Sequence, residues 1–252
     1  MSCAACASSG CDELFFSEYI EGDGGNNKCL EIYNPTVNSI DLGAGDYEVR
    51  IYTNGSISIG NTVDLTGTLA SGEVYVVCDD DSDPALLAEA DITDNGGFYN
   101  GDDAVELSKG GVSIDVIGEI GFDPGAQWTN NGVSTLNRTL RRQLGILVGD
   151  ANGSDDFDPS VEWDNYDANT FDGLGSHTSD CIACTPYTVT ITGTLEYCEN
   201  GNTTLDAGAY ASYEWSSGET SQSITATAGD YTVTVPRTAG CTGTAPVAVI
   251  EN

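Results

Sequence analysis

Oxygen-bearing side chains are the groups in this sequence best placed to do chemistry, and they gather between alternating apolar runs. The clusters are Glu21 with Asp23; Asp79, Asp80, Asp81 and Asp83; Asp102, Asp103 and Glu106; and Asp150, Asn152, Ser154, Asp156 and Asp158. Calcium is a hard ion that takes about six to eight oxygens at about 2.3 to 2.6 Å, so it needs several carboxylates and carbonyls in flexible turns. The last cluster meets that need best, because its alternate-residue oxygens begin like a calcium-binding loop. Asp155, however, stands where an EF-hand requires Gly, and no Glu fills its final position. Calcium is the expected cofactor, at Asp150 to Asp158 and at Asp79 to Asp83. The competing account is that Asp and Asn side chains bond their own backbone in turns.

Catalysis finds little support. His177 is the sole histidine, no G-x-S-x-G elbow occurs, and no glycine-rich phosphate cradle is present. Paired carboxylates serve glycoside hydrolysis, but among forty acidic residues some pair qualifies by accident. The chain is expected not to be an enzyme.

Nine cysteines leave at least one unpaired within the chain. Three pairings are expected from topology: Cys198 with Cys241, Cys29 with Cys78, and Cys11 with either Cys181 or Cys184. The alternative is zinc held by Cys3, Cys6, Cys181 and Cys184, but their separation is far from that of a zinc ribbon.

Forty acidic residues against seven basic ones give a net charge of −33 over 252 residues. That field repels nucleic acid and anionic lipid and attracts divalent cations. No apolar run reaches the roughly 18 residues a membrane helix needs. Met1-Ser2-Cys3 has neither the basic start nor the apolar core of a signal peptide, so the reading is an exported protein whose signal was removed, or a piece of a longer one. Cysteine-rich, lysine-poor alternating strands fit an oxidising, extracellular setting.

The elements that must position these groups are strands. Leu14 to Pro35 reads as two strands around a Gly, Asp and Asn turn, with Phe15, Ser17 and Tyr19 on one face and Phe16, Glu18 and Ile20 on the other. Tyr47 to Tyr52 ends in Asn54-Gly55, a hairpin signal, and Ser56 to Leu65 is expected to continue as a strand. Val74 to Cys78 reads as a buried strand. Asp83-Pro84 opens a helix over Ala85 to Ala90, the only convincing one. Val105 to Leu107 and Val112 to Val116 form a further hairpin. Leu136 to Arg142 is expected at a sheet edge, and Val161 to Trp163 as strand. From Tyr187 the composition turns to Thr, Ser and Ala with short regular strands, which suggests a second, smaller sandwich.

Several segments resemble, in order, the lamin-tail domain in its bacterial, secreted form: Ser17-Glu18-Tyr19-Ile20-Glu21-Gly22, Asn100-Gly101-Asp102-Asp103-Ala104-Val105-Glu106-Leu107, and Gly173-Leu174-Gly175-Ser176-His177-Thr178 among them. The resemblance covers about residues 12 to 180 and implies an immunoglobulin-like β-sandwich and a non-catalytic role. Cys198, Trp215 and Cys241, with Gly229-Asp230-Tyr231-Thr232-Val233, resemble immunoglobulin-like repeats of secreted Bacteroidetes proteins. The expected architecture is all-β, two immunoglobulin-like β-sandwich domains in series: a tail over 1–11, a lamin-tail-like domain over 12–185 and a small domain over 186–252.

The expected function is that of a non-catalytic extracellular module of a surface adhesin, filament or large secreted protein, meeting other surface proteins or copies of itself. Met1 to Ser9 is a candidate strand for a neighbour's sheet. The alternative is an accessory module that binds polysaccharide for a secreted hydrolase through Trp128, Tyr99 and Tyr166, which sit among polar residues. Trp163 and Trp215 read as core.

Overall fold

Alternation and turn chemistry fix most elements of the larger of two compact units into which the chain divides after Cys181. The computed structural model describes residues 11–23, 26–181, 189–199, 201–210, 212–236 and 242–252. Met1 to Ser9, Cys3, Cys6, Cys184 and Cys241 lie outside them.

The larger unit runs through β1 (Phe15–Glu21), β2 (Lys28–Tyr33), β3 (Ile40–Asp41), β4 (Tyr47–Tyr52), β5 (Asn61–Asp64), β6 (Thr68–Leu69), β7 (Val74–Asp79) and α1 (Pro84–Leu87). It continues through β8 (Ile92–Asp94), β9 (Ala104–Lys109), β10 (Val112–Ile117), β11 (Thr129–Asn130), β12 (Val133–Ser134), β13 (Arg138–Arg142), α2 (Pro159–Glu162) and β14 (Trp163–Asp167). Two sheets face each other, in the orders β14-β13-β1-β2-β7-β8 and β10-β9-β4-β5. Their shared core holds Phe16, Tyr19, Leu30, Ile32 and Leu140 from the first sheet and Val49, Ile51, Val63, Val105 and Leu107 from the second. Burying each such side chain contributes roughly 1.5 to 3 kcal/mol.

The opening hairpin forms as expected, but its alternation breaks. A bulge between Phe16 and Glu18 inserts one residue, so Phe16 and Tyr19, three apart, both enter the inter-sheet core. Glu18 and Ile20 turn to the outer face, where Ile20, Cys29, Val76 and Cys78 meet Leu86 of α1 and Leu174.

Three further expectations are corrected. Ser56 to Leu65 is not one strand: Asn54 and Gly55 take φ of 50° and 69°, and the Ser58 N–H then bonds Ser56 Oγ at 2.9 Å. Those local bonds replace ladder bonds, leaving Ile57 82% exposed until pairing resumes at β5. β13 is an interior strand, because β14 begins where the expected strand over Val161 to Trp163 was to end and adds outside it. The residues before β14 form α2, which Asp158 caps and Pro159 opens, the same signal by which Asp83 and Pro84 start α1.

The smaller unit carries β15 (Glu196–Tyr197), β16 (Thr203–Asp206), β17 (Glu214–Trp215), β18 (Ser223–Ala226), β19 (Gly229–Pro236) and β20 (Thr242–Glu251). Sheets β15-β20-β19-β17 and β16-β18 enclose Leu205, Trp215, Ile224, Val233 and Val249. Trp215 Nε1 donates to the Ser221 carbonyl at 2.9 Å, so the one polar atom of this core side chain is satisfied. Both units are immunoglobulin-like β-sandwiches, and the protein is all-β.

Candidate functional site

The bulge in β1 places charge on a covered face. Glu18 of β1 stands opposite Glu31 of β2 and Arg141 of β13. Arg141 Nε donates to Glu18 Oε2 at 3.1 Å, its terminal nitrogen reaches Asp172 at 2.6 Å, and its guanidinium lies 4.3 Å over the Tyr166 ring. Glu31 accepts from Ser17 Oγ and from the Gly175 N–H, both at 2.7 Å. The segment from Asp172 to Gly175 thus straps the cluster down, and Gly173 is needed there because a Cβ would stand 2.3 Å from Arg141 Nε.

Burial, then Glu31, outweigh Arg141 at Glu18 and push its carboxyl up to about 8. Burial likewise raises Glu31. A raised carboxyl is one mark of a general acid, but Glu18 is 2% exposed and has no route to a substrate.

The neighbouring Arg142 points inward, its side chain fully buried. It pairs with Asp115 and Glu162, donates to the Phe16 carbonyl at 2.9 Å and lies 4.3 Å over the Trp163 ring. Asp115, also buried, accepts the Phe16 and Asp150 N–H groups, each at 2.8 Å. His177 packs against Tyr33 and Phe15, and burial followed by the Arg142 charge lowers it to about 4. It is neutral at physiological pH, and its Nε2 has no hydrogen-bond partner. A wedge between two aromatic rings describes it better than a base.

In the expected calcium loop, local turn bonds engage several of the oxygens. Asp150 accepts the Asn152 N–H, Asn152 accepts Ser154 Oγ, and Asp158 caps α2 through Ser160. Among the described residues, the set of three or more carboxylates that converges within 4.8 Å is that of Asp79, Asp80 and Asp81. An open groove of about 260 Å³ is lined by Asp12, Glu13, Asp41, Tyr47 and Lys109 among others. Its lysine is engaged, 2.6 Å from Glu13.

Two of the three expected sugar platforms are corrected. Tyr99 is fully buried, stacked on Tyr19, with its hydroxyl 2.8 Å from the Ile20 and Cys29 carbonyls. Trp128 packs edge-on against Phe157 and over Gly118. Their immediate polar neighbours Asn100, Thr129 and Asn130 are exposed, which hides this burial from a local reading. Tyr166 stays 36% exposed. Trp163 and Trp215 are core residues.

Cys11 is bonded to Cys181, and Cys29 to Cys78 across paired strands β2 and β7, with Cα separations of 5.8 and 4.2 Å. Cys198 is exposed with a free thiol, while Cys241, its expected partner, lies outside the described residues. Loops of 170 and 49 residues make these bonds contribute about 5 and about 4 kcal/mol in the chain-entropy account. No helix of the described residues is long and apolar enough to cross a membrane.

Sheet order, core and disulfides define the larger unit as an immunoglobulin-like sandwich. Residues 7–121 match the family model of the lamin tail domain, a non-catalytic immunoglobulin-like family. No curated protein matches the chain. The match ends before β13, which pairs onto β1, and β14, which pairs onto β13 at the edge of the first sheet.

Proposed function

We propose that this chain is a non-catalytic extracellular module of a bacterial surface adhesin, filament or large secreted protein, acting in adhesion or assembly, with its smaller unit a repeat of the Bacteroidetes type. The observation that carries this reading is the Cys11–Cys181 bond, which joins the larger unit at its two ends. A pull along the backbone enters at Cys11 and leaves at Cys181 through a covalent bond, so the sandwich between them bears none of it. A module that links a surface to a partner gains from such a shunt, whereas an enzyme gains nothing mechanical. The two disulfides are compatible with an oxidising compartment. Calcium at the Asp79 to Asp81 turn belongs to the same reading, as an ion that stiffens the loop between β7 and α1. The polysaccharide alternative now rests on Tyr166 alone.

Stretching single molecules tests the shunt. Oxidised protein is expected to lengthen without any contribution from residues between Cys11 and Cys181. Reduction should add about 600 Å, the span of 170 residues at up to about 3.6 Å each. The added length appearing before reduction would remove the mechanical argument.

A further inference from the structure

At the turn end of the opening hairpin, acidic groups outnumber their counter-cation. Glu21, Asp79, Asp102 and Asp103 are each more than nine-tenths buried. Lys28 is the ammonium that acts on Glu21, Asp79 and Asp103 together. Its Nζ stands 4.0 Å from Glu21 and donates to the Tyr99 carbonyl, so one positive charge is shared among several carboxylates.

Their bonding is uneven. Asp103 accepts the Asn54 and Asn100 N–H groups at 2.6 and 2.9 Å, and Glu21 accepts the Asn137 N–H. Asp79 accepts the Asp81 N–H at 2.9 Å. Asp102 differs: its Oδ1 is buried and has no hydrogen-bond partner, although its charge bears on both Glu21 and Asp103. A buried carboxylate oxygen without a donor keeps its desolvation penalty uncompensated, and desolvation already raises Glu21, Asp79 and Asp103. A cation of higher charge than an ammonium removes that cost.

We propose that Glu21 and Asp102, with Asp103 behind them, form a binding site for a hard divalent cation of the calcium class beside Lys28. The donors are oxygens throughout. No histidine is present, and the nearby Cys29 and Cys78 sulfurs are tied in a disulfide, so zinc and copper find no soft ligand. The site is assembled from the end of β1 and the loop before β9 and shares no ligand with the Asp79 to Asp81 turn. It does not depend on the adhesive reading.

Calcium titration of the whole chain by calorimetry, with terbium luminescence excited through the stacked Tyr19 and Tyr99 rings as a second readout, tests it. Asp102→Asn is expected to weaken calcium binding at this site at least about tenfold, the scale of losing even an outer partner of a metal ligand, while Asp81→Asn weakens only the second binding event, at the Asp79 to Asp81 turn. Equal binding in Asp102→Asn and wild type, loss in Asp81→Asn alone, or no binding by the wild type overturns the site. Where circular dichroism shows Asp102→Asn unfolded, Lys28→Gln decides. Removing the competing ammonium should tighten calcium binding, and unchanged or weaker binding overturns the proposal.

Discussion

Glu18 and Glu31 face each other across β1 and β2 with one guanidinium, that of Arg141, donating to Glu18 at 3.1 Å. Two covered carboxylates on one cation favour a proton on one of them, and Glu18 takes it, its value moving from 4.5 to about 8. Below 4.5 the folded and unfolded chains both carry that proton. Between 4.5 and 8 only the folded chain keeps it, so this group's contribution to stability falls as pH rises through that window and is gone above about 8. Urea unfolding of wild type and Glu18→Gln from pH 4 to pH 9 checks this. The difference in unfolding free energy, variant minus wild type, is expected to grow with pH, because Gln imitates the protonated form throughout. A constant difference would mean that Glu18 is ionised in the fold.

Arg142 presents the opposite balance, a buried cation with two carboxylates and an aromatic plane. Arg142→Ala leaves Asp115 buried without its charge partner, and a loss of about 3 to 5 kcal/mol is expected by denaturant titration. Arg142→Lys is expected to recover less than half of it, since an ammonium cannot reach Asp115, Glu162 and the Phe16 carbonyl together while lying flat on Trp163. Full recovery by lysine would show that charge alone suffices.

The strands were legible because alternation and turn residues are local signals. β4 lies where the pattern places it, and Asn54-Gly55 turns as its residue types require. What escaped was non-local. Nothing in Leu136 to Arg142 announces that β14 will pair outside it, and an arginine-rich strand reads as solvated until Asp115, Glu18 and Glu162 are seen around it. The bulge at Phe16 is likewise set by what the two faces must bury, not by the residue types beside it. α2 is a different case, since Asp158-Pro159 carries the same cap and first-turn signal as Asp83-Pro84 but lies beside a strand-like run that masks it. The acidic clusters were visible by composition, but which oxygens remain without a donor depends on loops far apart in sequence.

Tyr99 illustrates that limit and yields a test. Its hydroxyl stands 2.8 Å from two strand carbonyls, so Tyr99→Phe withdraws a donor from a dry place. A loss of about 1 to 3 kcal/mol in urea unfolding is expected, with no change in retention on immobilised polysaccharide. Altered retention would return Tyr99 to the ligand-binding reading.

Gly173 connects the strap to the charges beneath it. A Cβ there would stand 2.3 Å from Arg141 Nε and 2.6 Å from Glu18 Oε2, inside the space that their bond occupies. No left-handed backbone is involved, so Gly173→Ala acts through crowding alone. The methyl must displace either the strap or the guanidinium, at a cost of about 1 to 3 kcal/mol. If the guanidinium moves, Glu18 loses its main charge-stabilising neighbour and its carboxyl rises further, extending to higher pH the window over which the folded chain holds its proton. The unfolding profile of Gly173→Ala should then keep falling above the pH at which the wild type levels off. If the strap moves instead, water reaches Glu18, its carboxyl drops toward the ordinary range and the fall is lost. A profile parallel to wild type would show that the strap and the ion pair are independent.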